Sequence, residues 1–285
     1  MSTSKKILSL KIVGGIALVS TLVYAAMTFS PATQPVTVMS PYAFDAGNLL
    51  DGSTKAYRPW FENGAWQGDL IEYDVDVNGV RTTDADVDSN PPTADGNNWM
   101  ARATFAEKEA TVTDYWEQSG GNDSKRYIFT VNGDSGSQVP FLWDSLSDAQ
   151  KEALDPAEFI TNVTDKPYDS EILNFIRGDR SQEKPLGSLR TRYSVLGDII
   201  NSNPVYVSAP LEGYTIPGFA TYKNTHLIDS PRAGRIYVGA NDGMLHVFDE
   251  TDGSEVYAYI PSMLIHKLDR LSATPYTHTY YVDGE

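Results

Sequence analysis

The sequence predicts a mainly β chain, a partial β-propeller with helical and loop insertions, and three observations carry that prediction. Residues 235–261 (RIYVGANDGMLHVFDETDGSEVYAYIP) read as three strands joined by two turns. Asn241-Asp242-Gly243 and Thr251-Asp252-Gly253-Ser254 supply the positive-φ residues that short antiparallel hairpins need. Alternate positions in these strands do not split into wet and dry: Ile236 and Val238 oppose Tyr237, Met244 and Phe248 oppose Leu245 and Val247, and Val256 and Ala258 oppose Tyr257 and Tyr259. A sheet apolar on both faces must be covered on both faces, which a propeller achieves by stacking small four-stranded sheets radially. Asn-Gly turn signals recur at 78–79 and 132–133. A two-layer sandwich is the rival arrangement for the same strands.

The first residues have the parts of a secretory signal: Lys5, Lys6 and Lys11, an apolar run over 12–22, and Val23-Tyr24-Ala25 as a cleavage site. Residues 1–25 are therefore expected to be a signal peptide, with an uncleaved anchor over 12–29 as the alternative. Contact with a membrane is then confined to the leader during export. Pro31, Pro35 and Pro41 make 26–42 an extended tether, and 43–285 is expected to be the propeller part. Residues 68–77 (GDLIEYDVDV) form a strand ending at Asn78-Gly79, and 82–98, acidic and nearly devoid of apolar residues, is a surface excursion. A further strand at 126–131 meets Asn132-Gly133.

A helix is signalled at 147–154 by the Ser147/Gln150 capping box and the stop at Asp155-Pro156. A second spans 170–177 with Gly178 as its C-terminal cap. Residues 195–203 (VLGDIINSN) predict an ordered loop in which Asp198 accepts backbone amides. Residues 204–208 (PVYVS) then form the inner strand of the blade, and 211–234 is an insertion before its second strand. Residues 278–284 read as the opening strand of another blade, so the chain is expected to be truncated. No fixed-period repeat is visible.

Across 285 residues the formal net charge is −16, and there is no cysteine. Such acidity argues against nucleic acid as a partner, and disulfides and thiolate metal sites are excluded.

The string YVGANDGMLHVFD, followed by TDGSEVYAYIPS and THTYYVDG, resembles the propeller domain of the PilY/PilC family of type IV pilus tip adhesins and biogenesis factors. Residues 175–207 (FIRGDRSQEKPLGSLRTRYSVLGDIINSNPVYV) are similar to the segment leading into that blade, and 57–79 carries a looser likeness. The resemblance implies an exported, non-enzymatic protein of pilus assembly and surface adhesion. Minor pilins at the pilus tip and a host or abiotic surface would be its partners, with the periplasm, cell surface or pilus tip of a Gram-negative bacterium as its location. The blade also resembles those of quinoprotein dehydrogenases, so a periplasmic dehydrogenase is the alternative, and a non-adhesive propeller scaffold a third reading.

No catalytic constellation is visible: the four histidines lack metal-ligand spacing, and there is no G-x-S-x-G or P-loop. His246 is expected to be buried and satisfied by a neighbour. Two short motifs are candidate sites. Asp74, Asp76 and Asn78, with Gly79 sixth and Asp84 and Asp86 beyond, follow the first half of an EF-hand loop, but Ala85 stands at the twelfth position. A calcium loop and a solvated hairpin are the competing readings, the hairpin favoured. Arg177-Gly178-Asp179 is the tripeptide integrins recognise on exposed loops; the competing reading is a helix C-terminus.

Overall fold

The computed structural model describes residues 43–44, 54–62, 64–76, 79–81, 98–117, 125–155, 170–210 and 214–284. The leader, the tether and nearly all of the acidic stretch lie outside them. The described residues all fall within one compact unit, Val38–Glu285.

Among the described residues, ten strands form two sheets. The first has β1 (Ala43–Phe44), β2 (Thr54–Glu62), β3 (Gln67–Asp76) and β4 (Gly79–Arg81) in sequential antiparallel order. The strand expected at 68–77 is β3. Its long partner β2, paired from Thr54↔Val75 to Glu62↔Gln67, was not legible, because Pro59 cannot donate to a ladder and Lys55 and Arg58 break the apolar pattern.

The second sheet has the order β6-β5-β10-β9-β8-β7. It is built from β5 (Ile128–Val131), β6 (Gln138–Pro140), β7 (Val205–Val207), β8 (Arg235–Gly239), β9 (Leu245–Asp249) and β10 (Glu255–Tyr259). The meander β7–β10 is antiparallel throughout, as the Asp-Gly turns require. β5 joins it in parallel, with Ala258 opposite Ile128. The described part of the segment expected as an insertion, 214–234, runs between β7 and β8 and carries a short helix, Phe219–Asn224.

The two faces of this sheet differ. Ile236, Val238, His246, Phe248, Ala258 and Ile128 are buried, whereas Tyr237, Leu245, Tyr257, Tyr259 and Phe129 opposite are half-buried and Tyr127 and Val205 exposed. The expectation that both faces are covered holds fully for one of them; on the other, only the central Val247 side chain is fully buried. Phe129 lies 5.5 Å from Tyr257 and 5.2 Å from Tyr259, so aromatic rings shield one another on this face.

Helices α1 (Ala101–Thr111), α2 (Asp148–Leu154), α3 (Glu171–Arg177) and α4 (Phe219–Asn224) and a 3₁₀ segment, Ser262–Leu271, complete the described elements discussed here. The capping box of α2 and the Gly178 cap of α3 are formed as expected. Two apolar clusters cover the buried face. One joins Tyr57, Leu70, Trp99, Phe105 and Tyr115 to Ile236, Val238 and Phe248. The other joins Trp143, Leu173, Ile265 and Leu268 to Ile128 and Ala258. Trp99 also ties the first sheet to the β9–β10 turn, its indole N–H donating to the Glu250 carbonyl at 3.0 Å. Gly253 sits under that ring, where a Cβ would come within 2.3 Å of it.

No strand forms at 278–284. That segment is held instead by side-chain bonds, described next.

Candidate functional site

The β8–β9 turn organises the polar interior. Ala240 and Met244 close it, the Ala240 amide donating to the Met244 carbonyl at 2.9 Å, and Gly243 takes φ +91°. This geometry aims Asp242 inward. Its carboxylate accepts from the amides of Gly197 at 2.9 Å and Met244 at 3.1 Å, and lies 3.0 Å from His246 Nε2. The other ring nitrogen, Nδ1, is 2.7 Å from Glu255 Oε1. Arg126 closes the row, donating to Glu255 from Nε at 2.7 Å and Nη2 at 2.8 Å, and from Nη1 to the Arg177 carbonyl at 2.7 Å.

Anion and cation alternate along this buried row, and each sets its neighbour's protonation. Burial alone would push His246 down, but Asp242 and Glu255 outweigh it and hold the imidazole at about 9. Burial likewise opposes the ionised form of Glu255, and Arg126 and His246 overcome it, leaving the carboxyl at about 2. The same opposition, settled by His246, keeps Asp242 below the usual carboxylate range. His246 is thus buried and satisfied, as its place in the strand implied.

A second cluster anchors the loop before β7. Val195, Leu196 and Ile199 are buried, so the segment 195–203 packs as expected. Asp198 is buried too, but its carboxylate accepts side-chain donors, Asn241 Nδ2 at 2.7 Å and His278 Nε2 at 2.8 Å, where backbone amides were expected. The amide-collecting carboxylate is Asp283, which accepts from Ile200, Asn201 and Ser202 at 3.0, 2.7 and 2.8 Å. Asn241 bridges the two acids, reaching Asp283 at 3.1 Å, and Trp66 stacks on His278 at 3.8 Å. One aspartate among five downstream of residue 240 gave no signal in sequence of this role.

Of the calcium motif, Asp74 faces Lys55 across β2–β3 at 2.7 Å, and Lys55 also contacts Glu72 at 3.1 Å. Asp76 pairs with Gly79 in the β3–β4 ladder. Asn78, Asp84 and Asp86 lie outside the described residues. The motif's described part is therefore a hairpin whose first acid holds an ammonium group, and among the described residues no three acids or histidines converge on a metal position.

Arg177-Gly178-Asp179 ends helix α3. The Arg177 side chain has no exposed surface; it donates to the carbonyls of Trp116 at 3.1 Å, Phe141 at 2.9 Å and Arg126 at 3.4 Å. Gly178 caps the helix at φ +121°, and Asp179 holds Ser181 through its amide and hydroxyl. The geometry is that of the helix C-terminus reading, with the guanidinium bonded to three carbonyls inside the protein.

The PilY1 beta-propeller domain profile matches residues 196–285. That stretch is similar to the PilY1 family's propeller domain. The match takes in the whole meander β7–β10 and every member of both polar clusters except Trp66 and Arg126. Curated relatives extend the PilY1 likeness upstream. The chain is 33% identical over 267 residues to the type IV pilus biogenesis factor PilY1 of Pseudomonas aeruginosa strain PAK, covering 89% of this chain and 20% of that protein. A PilY1 homolog of Xylella fastidiosa is 32% identical over 241 residues, 83% of this chain and 16% of that protein. The PilY1 of P. aeruginosa strain UCBPP-PA14 is 27% identical over 231 residues, 77% and 17% respectively. The chain thus spans about a fifth or less of the length of these relatives. No solved structure gives a significant match.

Proposed function

We propose that the chain is an exported, non-enzymatic PilY1-type component of type IV pilus biogenesis, and that its meander is one blade of a partial β-propeller. The observation that carries this reading is the 33% identity over 89% of the chain to a protein named for pilus biogenesis. Fold likeness alone would not specify a role. In this reading the protein works at the pilus tip with minor pilins and presents a surface for attachment to host cells or abiotic material. The interior supports a structural role for the blade, because His246, Asp242, Glu255 and Arg126 are occupied by one another.

Deletion of the gene in its own bacterium, with surface pili counted after shearing, tests the assembly role. Loss of surface pili restored by the intact gene is expected; unchanged piliation overturns it. Antibody labelling at pilus tips and co-purification with minor pilins test the location and partners separately.

A further inference from the structure

Between the C-terminal end of α1, the turn at 113–117 and the C-cap of α3 lies a cavity of about 260 Å³, open to solvent on one side. Its apolar lining is Val112, Trp116 and Val195, and Arg126 and Gly178 form part of its inner wall. Arg126 is saturated by Glu255 and the Arg177 carbonyl. Three other polar groups in the lining are not. Tyr115 lines the same wall, and its hydroxyl, which is not buried away from solvent, makes no hydrogen bond to protein among the described residues. The Glu109 carboxylate also accepts none there, and its nearest cation, Arg180 Nη1, is 3.7 Å away, beyond hydrogen-bond reach. That nitrogen correspondingly lacks a close acceptor, although Arg180 contacts Glu183 and the Arg192 carbonyl through its other nitrogens.

The chemistry of these groups narrows the ligand. A purely apolar ring would displace water from a hydroxyl, a part-exposed carboxylate and a part-exposed guanidinium and offer no hydrogen bond in return. An anion would face Glu109 and Asp114, and a cation would face Arg180 and Arg126. A neutral polyol carries donors for Glu109 and acceptors for Arg180 on adjacent carbons, and the Tyr115 hydroxyl can serve in either sense. Size adds a bound: an apolar cavity of about 150 Å³ already takes a six-membered carbon ring, so this volume admits such a ring with hydroxyl substituents. We propose that the cavity binds one neutral pyranose unit, its hydroxyls bridging Glu109, Arg180 and Tyr115 and its C–H face against Val112, Trp116 and Val195. The unit is either a free sugar or the end residue of a glycan. Burial raises the Glu109 carboxyl above its ordinary range, a cost that hydrogen bonds from sugar hydroxyls would relieve.

Titration of the isotope-labelled 285-residue chain with the methyl glycosides of glucose, galactose, mannose and N-acetylglucosamine, followed by amide NMR, is the test. Saturable binding in the millimolar range by at least one glycoside is expected, with the largest shifts at Tyr115, Trp116 and Gly178. Glu109→Gln should weaken it about tenfold and Tyr115→Phe about fivefold, the ratios expected for one charged and one neutral hydrogen bond. A trisaccharide ending in the same sugar separates the sources: equal or tighter binding assigns a glycan end, and loss of binding a free sugar. Absence of saturable binding by all four glycosides, or shifts centred elsewhere, overturns the proposal, and both are read on the parent chain without any variant. No pili enter the measurement, so its failure leaves the assembly role standing.

Discussion

His246 on β9 and Glu255 on β10 meet with Nδ1 2.7 Å from Oε1, and neither side chain has any exposed surface. Asp242 on one side and Arg126 on the other complete a row in which no charge lacks an opposite neighbour. Removing one partner strands the others, so Glu255→Gln should cost about 3–5 kcal/mol, measured by urea unfolding. A loss below about 1 kcal/mol would show that the row is solvated.

The same row sets a pH dependence. His246 is raised from an ordinary 6.5 to about 9, so its stabilisation is complete below about 6.5 and is lost as pH climbs through 9. Burial raises the Asp69 carboxyl to about 7, inside the same range, so the informative quantity is the stability difference between the parent and His246→Gln. That difference should shrink steadily from pH 6.5 to 9. A constant difference would mean that the imidazole is neutral in the folded protein.

Gly243 adopts φ +91° and a Cβ there would come within 2.5 Å of Leu268 Cδ2. Gly243→Val should therefore cost at least the 1–3 kcal/mol of backbone strain alone, with Gly243→Ala close behind. Thermal melts of the two variants check this, and near-parent midpoints would refute it.

The Arg177-Gly178-Asp179 geometry predicts opposite outcomes for stability and recognition. Arg177→Lys cannot span three carbonyls and should destabilise by about 2–4 kcal/mol. Asp179→Glu should leave attachment to integrin-coated surfaces unchanged. A specific loss of attachment in a folded Asp179→Glu protein would favour receptor contact.

For the Asp74–Lys55 pair, part-exposed on both sides, substitution of Asp74 by Ala should cost no more than about 1 kcal/mol. Calorimetric titration with calcium should show no heat that depends on Asp74; such a heat would favour the loop reading.

Local chemistry was legible and long-range chemistry was not. The turns at Gly243 and Gly253, the Ser147/Gln150 box and the Gly178 cap are each written within a few residues. Helix α1 was missed because Met100, at its N-cap position, supplies no side-chain bond. Its cap comes from Asp69 on β3, whose Oδ1 accepts from the Arg102 amide at 3.0 Å across 33 residues. Asp198 was expected to seek amides because the sequence shows only its immediate neighbours, while its donors stand 43 and 80 residues away. The Arg126–Glu255 pair, 129 residues apart, and the cavity beside α1 have no local signature.

The parallel seam between β5 and β10 bears on the order in which the chain assembles. β8, β9 and β10 find one another through tight turns, and β5 and β6 through their own, so both units can nucleate locally. Joining them closes a loop of 130 residues, as between Thr130 and Ile260, and its entropy must be overcome before the seam returns any contact. The seam is then the late event in folding, and Arg126 reaches Glu255 only when it closes, so the buried charges are paired at the moment they leave water.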